Sequence, residues 1–348
     1  MKTLVCALLI FCSFNLLSQN VDLKQAIKHY DSQNFGIAEK EINQALTQPF
    51  TSDEEVASAM YYYFLINMEI YGSTEALQNN VELTEKIAEA YTIYIQKEQT
   101  RKTEIAAGLV RLSHLLVDIA AKQYESEQHS EYFYTMDHIA LLLETIGEDT
   151  GDFIEKLAED ATRLGRDLRA MSYWHQMIIK NHKKEFAYKE LLAILYKLEK
   201  YDQVDQLLSD AKNDCPNSNR FAKIEIMRYT DKGMKYSALQ LAKRVVTEEP
   251  NNLDVVYLYG LLSAQHNEHD EAFSSFVKVT RMNEDHFEAN RELGKHYYRF
   301  SNQEGHLNLA LKYFEKAYAL EPKNTEVRDL LHSVYLETGN TAKALSLN

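Results

Sequence analysis

The chain is poor in residues that punctuate or cross-link a fold: of 348, only 11 are Gly, 4 are Pro, 3 are Cys and 1 is Trp. So few turn-formers leave little room for the tight turns of an all-β fold and point to a mostly helical chain. Positive charge is also scarce, with 38 Lys and Arg against 52 Asp and Glu, a net charge of −14. Non-specific nucleic-acid binding depends on cations that displace counterions, so nucleic acid is not an expected partner. The same field disfavours anionic lipid surfaces. Past the N-terminus the longest apolar run, Ala59 to Ile66, has eight residues, against about 20 for a membrane-spanning helix. What is present is apolar content, at 45% ample for a buried core, and wholesale disorder is excluded.

Signatures of chemistry are missing too. No two glycines lie closer than Gly147 and Gly151, which excludes a phosphate loop, a dinucleotide fingerprint and a Gly-x-Ser-x-Gly elbow. No His-Glu-x-x-His occurs; His266 and His269 are three apart but flank a turn, where surface residues are expected rather than metal ligands. Asp270-Glu271 and Glu248-Glu249 read as solvated faces, since nothing flanking them suggests a dry pocket. No catalytic residue, metal or cofactor is expected, and the chain reads as a non-enzyme.

The N-terminus has the pattern of an export signal. Lys2 precedes an apolar stretch, Leu4 to Leu17, broken only by Ser13 and Asn15, and Ser18 offers a small residue before a new N-terminus at Gln19. The alternative is a buried N-terminal helix. Cys12 follows Leu9-Ile10-Phe11, but Phe11 stands where a lipoprotein signal has a small residue, so lipidation is the weaker reading. Removing residues 1–18 leaves a charge of −15 and Cys215 as the one cysteine, which excludes an internal disulfide.

A period of 34 residues organises the chain from 151 onward. With units starting at 151, 185, 219 and 253, position 20 falls on Ala170, Val204, Ala238 and Ala272, and position 24 on Trp174, Leu208, Ala242 and Phe276. Position 27 falls on Met177, Ala211, Val245 and Val279. A fifth unit at 287 takes four extra residues near Asn302–His306, expected to decorate one edge, before Ala310, Phe314 and Ala317 resume the phase; a sixth, at 325, is partial. Gly165, Gly233 and Gly339 fall at position 15, Gly260 and Gly294 at position 8, and Pro216, Pro250 and Pro322 at position 32. This is the logic of two helices per unit. Small residues let the helices approach, a bulky one fills the space a turn later, Gly makes the turn, and Pro stops the second helix.

These residues resemble the tetratricopeptide repeat (TPR) family, in an exported bacterial version. Tyr229, Tyr297 and Tyr335 match its position 11, while position 4 (Ile154, Tyr188, Ala222, Val256, Asn290, Arg328) lacks its Trp. The resemblance implies an all-α, right-handed superhelical solenoid of antiparallel helix pairs, with units 151–184, 185–218, 219–252, 253–286, 287–324 and a partial 325–348. Upstream the register loosens. Residues 21–48 still resemble a unit through Ala26, Tyr30, Ala38, Ile42 and Ala45, with Pro49 after it; helices are expected near 53–71, 74–99, 103–128 and 130–147, so that 19–150 forms divergent helical pairs. The Tyr61-Tyr62-Tyr63-Phe64 run spans most of a helix circumference, so at least one ring is expected to face outward, as a packed edge or as a contact surface.

In the TPR family the first helix of each unit lines a concave groove. The corresponding positions carry Lys189, Lys197, Arg220, Lys223, Arg291, Lys295 and Arg299 against Glu190, Asp231, Asp254, Glu288 and Glu292, a positive balance in an acidic protein. Between them lie Ile224, Met227, Tyr257, Leu258 and Leu261, with Tyr196 and Tyr298 nearby. Two readings stand: a groove for a protein or peptide segment, or scatter over a tightly packed array. The chaperone-binding subtype is not supported, since its Asn position reads Glu159, Ala193, Met227, Leu261 and Lys295. Leu345-Ser346-Leu347-Asn348 interrupts the sixth unit without a polar cap, and either frays or docks on another subunit as a homo-oligomer. The expectation is an exported scaffold, periplasmic or extracellular and peripheral to the envelope. A small-molecule or glycan-binding module, and less so a helical enzyme, are the alternatives.

Overall fold

The computed structural model describes residues 20–347. The expected leader, its Ser18-Gln19 junction, Cys12 and Asn348 lie outside them. Among the described residues there are 19 α-helices and no strand. The chain divides into two compact units, one up to His182 and one from Lys183. No helix among the described residues is long and apolar enough to cross a membrane.

The first unit runs α1 (Val21–Asp31), α2 (Phe35–Ala45), α3 (Asp53–Tyr71), α4 (Thr74–Gln78), α5 (Leu83–Lys97), α6 (Lys102–Glu125), α7 (His129–Thr145), α8 (Gly151–Arg163) and α9 (Asp167–Ile179). Ser52 caps α3 by accepting from the Glu55 N–H at 3.1 Å, the side-chain acceptor that an open helix N-terminus needs. The expected helix over 74–99 is two helices. Asn79 ends α4, and the Asn80 amide donates to the Ala76 carbonyl at 2.9 Å, a local bond that competes with helix continuation. The tyrosine run also departs from expectation, since none of its rings is exposed. Tyr61, Tyr63 and Phe64 are buried, and Tyr62 is half-buried edge-on against Tyr30 at 5.6 Å. The reason is that α3 is packed by α1, α2, α4, α5 and α6 and has no free side. Gly108 lets α6 come close, because a Cβ there would lie 2.2 Å from the Phe64 ring.

The second unit is a run of hairpins: α10 (Lys184–Lys197) with α11 (Tyr201–Asp214), α12 (Ala222–Asp231) with α13 (Lys235–Glu248), α14 (Leu253–Gln265) with α15 (His269–Met282), α16 (Phe287–Arg299) with α17 (His306–Leu320), and α18 (Thr325–Glu337) with α19 (Thr341–Leu345). Every residue at positions 20, 24 and 27 of the 34-residue ruler is buried, from Val204 to Ala344. Positions 8 and 24 share one space. The Phe276 ring rests on Gly260 and the Phe314 ring on Gly294, where an added Cβ would come within 2.8 and 2.6 Å. In α12 and α13 the sizes are reversed, with Ile226 at position 8 and Ala242 at position 24 in one core cluster. Close-packed interiors require only that the summed volume fit.

One turn recurs in both units. Gln33, Glu127, Gly165, Glu199, Gly233, Asn267 and Gly339 all have positive φ, between 56° and 76°. The residue after each donates its N–H to the carbonyl five back, at 2.7–3.0 Å, the bond that closes a helix ending in a left-handed residue. Glycine marks three of these turns in the sequence, Asn267 tolerates the conformation, and Gln33, Glu127 and Glu199 adopt it against their steric preference. The extra residues of the fifth hairpin lie in the turn between α16 and α17, as expected, and at their end His306 packs against Tyr297 at 5.2 Å.

Candidate functional site

In the second unit a cleft of about 750 Å³ lies along α10 and the segments that open α12 and α14. Lys189 and Ala193 come from α10, Arg220 from the loop before α12 and Lys223 from its first turn, and Asn252, Asp254 and Val255 from the start of α14. These positions recur because each first helix of a hairpin begins beside the next. Six residues expected in a groove, Lys189, Glu190, Arg220, Lys223, Ile224 and Asp254, line the cleft. Asn217, Ser218 and Asn219, in the loop before α12, line it too and were not singled out; an Asn-Ser-Asn run after Pro216 is a loop signal that could have marked them.

The cations do not form a bare positive rim. Lys189 lies 3.1 Å from Glu190, Arg220 3.2 Å from Glu185, and Lys223 3.0 Å from Asp254. Further along, Arg291 and Lys295 meet Glu326 at 3.6 and 2.6 Å and also contact Glu292. Lys295 holds the Glu326 carboxyl below its ordinary range. Two of these contacts obey one rule: position 5 of one unit reaches position 2 of the next, as in Lys223–Asp254 and Arg291–Glu326. A second rule joins Tyr at position 12 to the acid at position 13 of the next unit. The Tyr196 hydroxyl donates to Asp231 at 2.9 Å and the Tyr298 hydroxyl to Glu337 at 2.5 Å. Burial and Asp231 push Tyr196 up to about 12; Glu337 and burial push Tyr298 up as well. Exposed ion pairs each contribute about 0–1 kcal/mol, so these contacts act more on register than on stability.

The apolar candidates sit in the joints between hairpins. Tyr257 is half-buried, with its ring 5.0 Å from His286 and 6.1 Å from Phe276, and burial pushes its hydroxyl up to about 12. Leu258 packs on the cluster of Ile226, Ala242 and Val245, and Leu261 on that of Ala272, Phe276 and Leu293. Met227 is half-buried on α12, and Lys197 is exposed at the end of α10. None of Tyr196, Lys197, Met227, Tyr257, Leu258, Leu261, Arg291, Lys295 or Tyr298 lines the cleft.

His269 is exposed as expected, while His266 is half-buried with its Nε2 enclosed and without a hydrogen-bond partner. In the first unit, ligand atoms of Asp152, Glu155 and His182 lie within 4.8 Å of one another. Asp152 is exposed and stands in the first turn of α8, where the helix dipole favours negative charge without any ion, and Glu155 follows one turn later.

No protein-family model and no curated protein matches the sequence. Among solved structures, one described as a functional characterisation of Pseudomonas aeruginosa pilF is 16% identical, with 57% of this chain and 88% of that one aligned at a TM-score of 0.50. The fold is a TPR fold. A TPR protein called YrrB, described as having an unusual peptide-binding site, is 20% identical over 55% of this chain and 94% of its own, with a TM-score of 0.39. MamA from Desulfovibrio magneticus is 17% identical over 51% and 98%, with a TM-score of 0.38. In TPR terms, the cleft belongs to the first helices of the units at 185, 219 and 253.

Proposed function

We propose that the chain is a non-enzymatic protein-interaction scaffold that holds a peptide segment of a partner in the cleft between α10, α12 and α14. The observation that carries this reading is the cleft itself. It is about 750 Å³ in size and is lined by paired charges, by Asn217 and Asn219 in the loop before α12 and by Asn252 at the start of α14. The Asn219 amide is fixed by Glu248 and Arg244 and the Asn252 amide by Glu249 and the Val255 N–H, so an extended main chain is met by the second hydrogens and lone pairs these held amides keep. The paired charges on either side favour a segment that carries both signs, since a ligand of one sign meets repulsion from half the lining. The leader pattern supports an activity outside the cytoplasm, peripheral to the envelope.

The test is recovery of one defined partner from envelope extracts on the immobilised chain 19–348, compared with Arg220→Glu/Lys223→Glu. Loss of the partner with unchanged helicity supports the cleft; equal recovery on both rejects it. N-terminal sequencing of the exported product should read from Gln19.

A further inference from the structure

The edge formed by α15, α16 and the turn into α17 is a packed cluster of aromatic and histidine rings. The His296 imidazole lies on the Phe273 ring at 4.5 Å with 27° between the planes, and its other neighbours include Phe300 at 5.1 Å. Beside it, Tyr297 stacks on Tyr313 at 5.6 Å and 5°, and meets His306 edge-on at 5.2 Å. The Nδ1 atom of His306 is enclosed and without a hydrogen-bond partner. Four titratable or charged groups act on His296 from the surrounding elements: His269 and Asp270 on α15, Arg299 on α16 and His306 on α17. Only Asp270 is negative.

We propose that this joint is a pH-sensitive hinge, in which protonation of His296 against Phe273, among His269, Arg299 and His306, loosens the α16/α17 hairpin from α14/α15. A cation over a ring face is attracted to it, but two effects oppose this attraction here. The half-buried imidazolium loses hydration that the rings do not replace, and it faces one fixed cation, Arg299, and the imidazoles of His269 and His306. Burial, then His306 and Arg299, hold the His296 value below that of an ordinary histidine. With the folded value depressed, the joint has its full stability above the ordinary histidine range, and loses it as pH falls toward the folded value.

The experiment is a histidine Cε1–H titration of the whole chain by NMR, with unfolding followed from about pH 7.5 to about pH 5, in wild type, His296→Phe and Phe273→Leu. His296 should titrate below the ordinary range, and Phe273→Leu should bring it back toward that range. The wild-type unfolding constant should rise several-fold more on acidification than that of His296→Phe, which keeps the stack and removes the proton. Amide exchange, corrected for its intrinsic pH dependence, should quicken in α16 and α17 and stay level in α12 and α13. An ordinary His296 titration in wild type overturns the hinge even if a variant does not fold; equal pH slopes in wild type and His296→Phe overturn it equally.

Discussion

The joint between α11 and α12 and the joint between α15 and α16 use the same two ruler positions for unlike chemistry. At positions 21 and 10 the first places Asp205 and Arg228, joined by two N–H···O bonds of 3.0 Å. The second places Phe273 and His296, ring on ring. Between them, α13 and α14 put Leu239 and Leu262 there, in one apolar cluster. What the difference teaches is that the hairpin stack specifies a contact, not its chemistry. It also separates the acid responses of the two joints. Hydrogen bonding from Arg228 holds Asp205 down at about 2, so its contribution is present above the ordinary aspartate value and lost only as pH falls toward 2. The histidine joint weakens at much milder acidity.

The comparison breaks most sharply if one partner is removed. Asp205→Leu leaves Arg228 with its single N–H···O bond to Asp231, at 3.2 Å, and should cost about 2 kcal/mol at neutral pH. Adding Arg228→Leu, which copies the Leu239–Leu262 joint, should recover most of that loss. Urea unfolding of the single and double variants reads both values, and equal instability of the two would mean that the ion pair itself is needed. The double variant should also lose the stability change below about pH 4.

A comparable effect tests the reversed sizes at positions 8 and 24. Ala242→Phe should cost about 1–3 kcal/mol by overpacking against Ile226, and Ile226→Gly in the same chain should restore part of it by recreating the Gly294–Phe314 arrangement. A double-mutant cycle measures the coupling, and strictly additive losses would contradict a shared space.

The smallest expected effect lies in the turns. Glu199 and Gly233 hold the same left-handed conformation, so Glu199→Gly should stabilise and Gly233→Ala destabilise, each by about 1 kcal/mol. Thermal midpoints moving in the same direction for both would refute the equivalence.

Much of this architecture is legible in the residues alone. Ala238, Phe276 and Ala317 fall in phase, and the phase by itself places them in the core. Glu127 and Glu199 are not legible as turns, because the closing bond to the carbonyl five back imposes the conformation without a glycine to announce it. The break at Asn79 is hidden for a related reason: a side-chain bond to the backbone carries no periodic signal. At the cleft, Lys189, Arg220 and Lys223 can be placed by ruler position, but the balance of charge cannot. Lys223 meets Asp254, 31 residues away, and only stacking shows that the two cancel.

The loop that carries residues 300–305 has one more consequence. Four added residues there leave Ala310, Phe314 and Ala317 buried, because the chain absorbs them where it reverses. One residue added inside a helix would rotate every later side chain by about 100° and turn the buried stripe toward water. Copying errors in a gene of this kind are therefore filtered by place: corners tolerate growth, and rods do not.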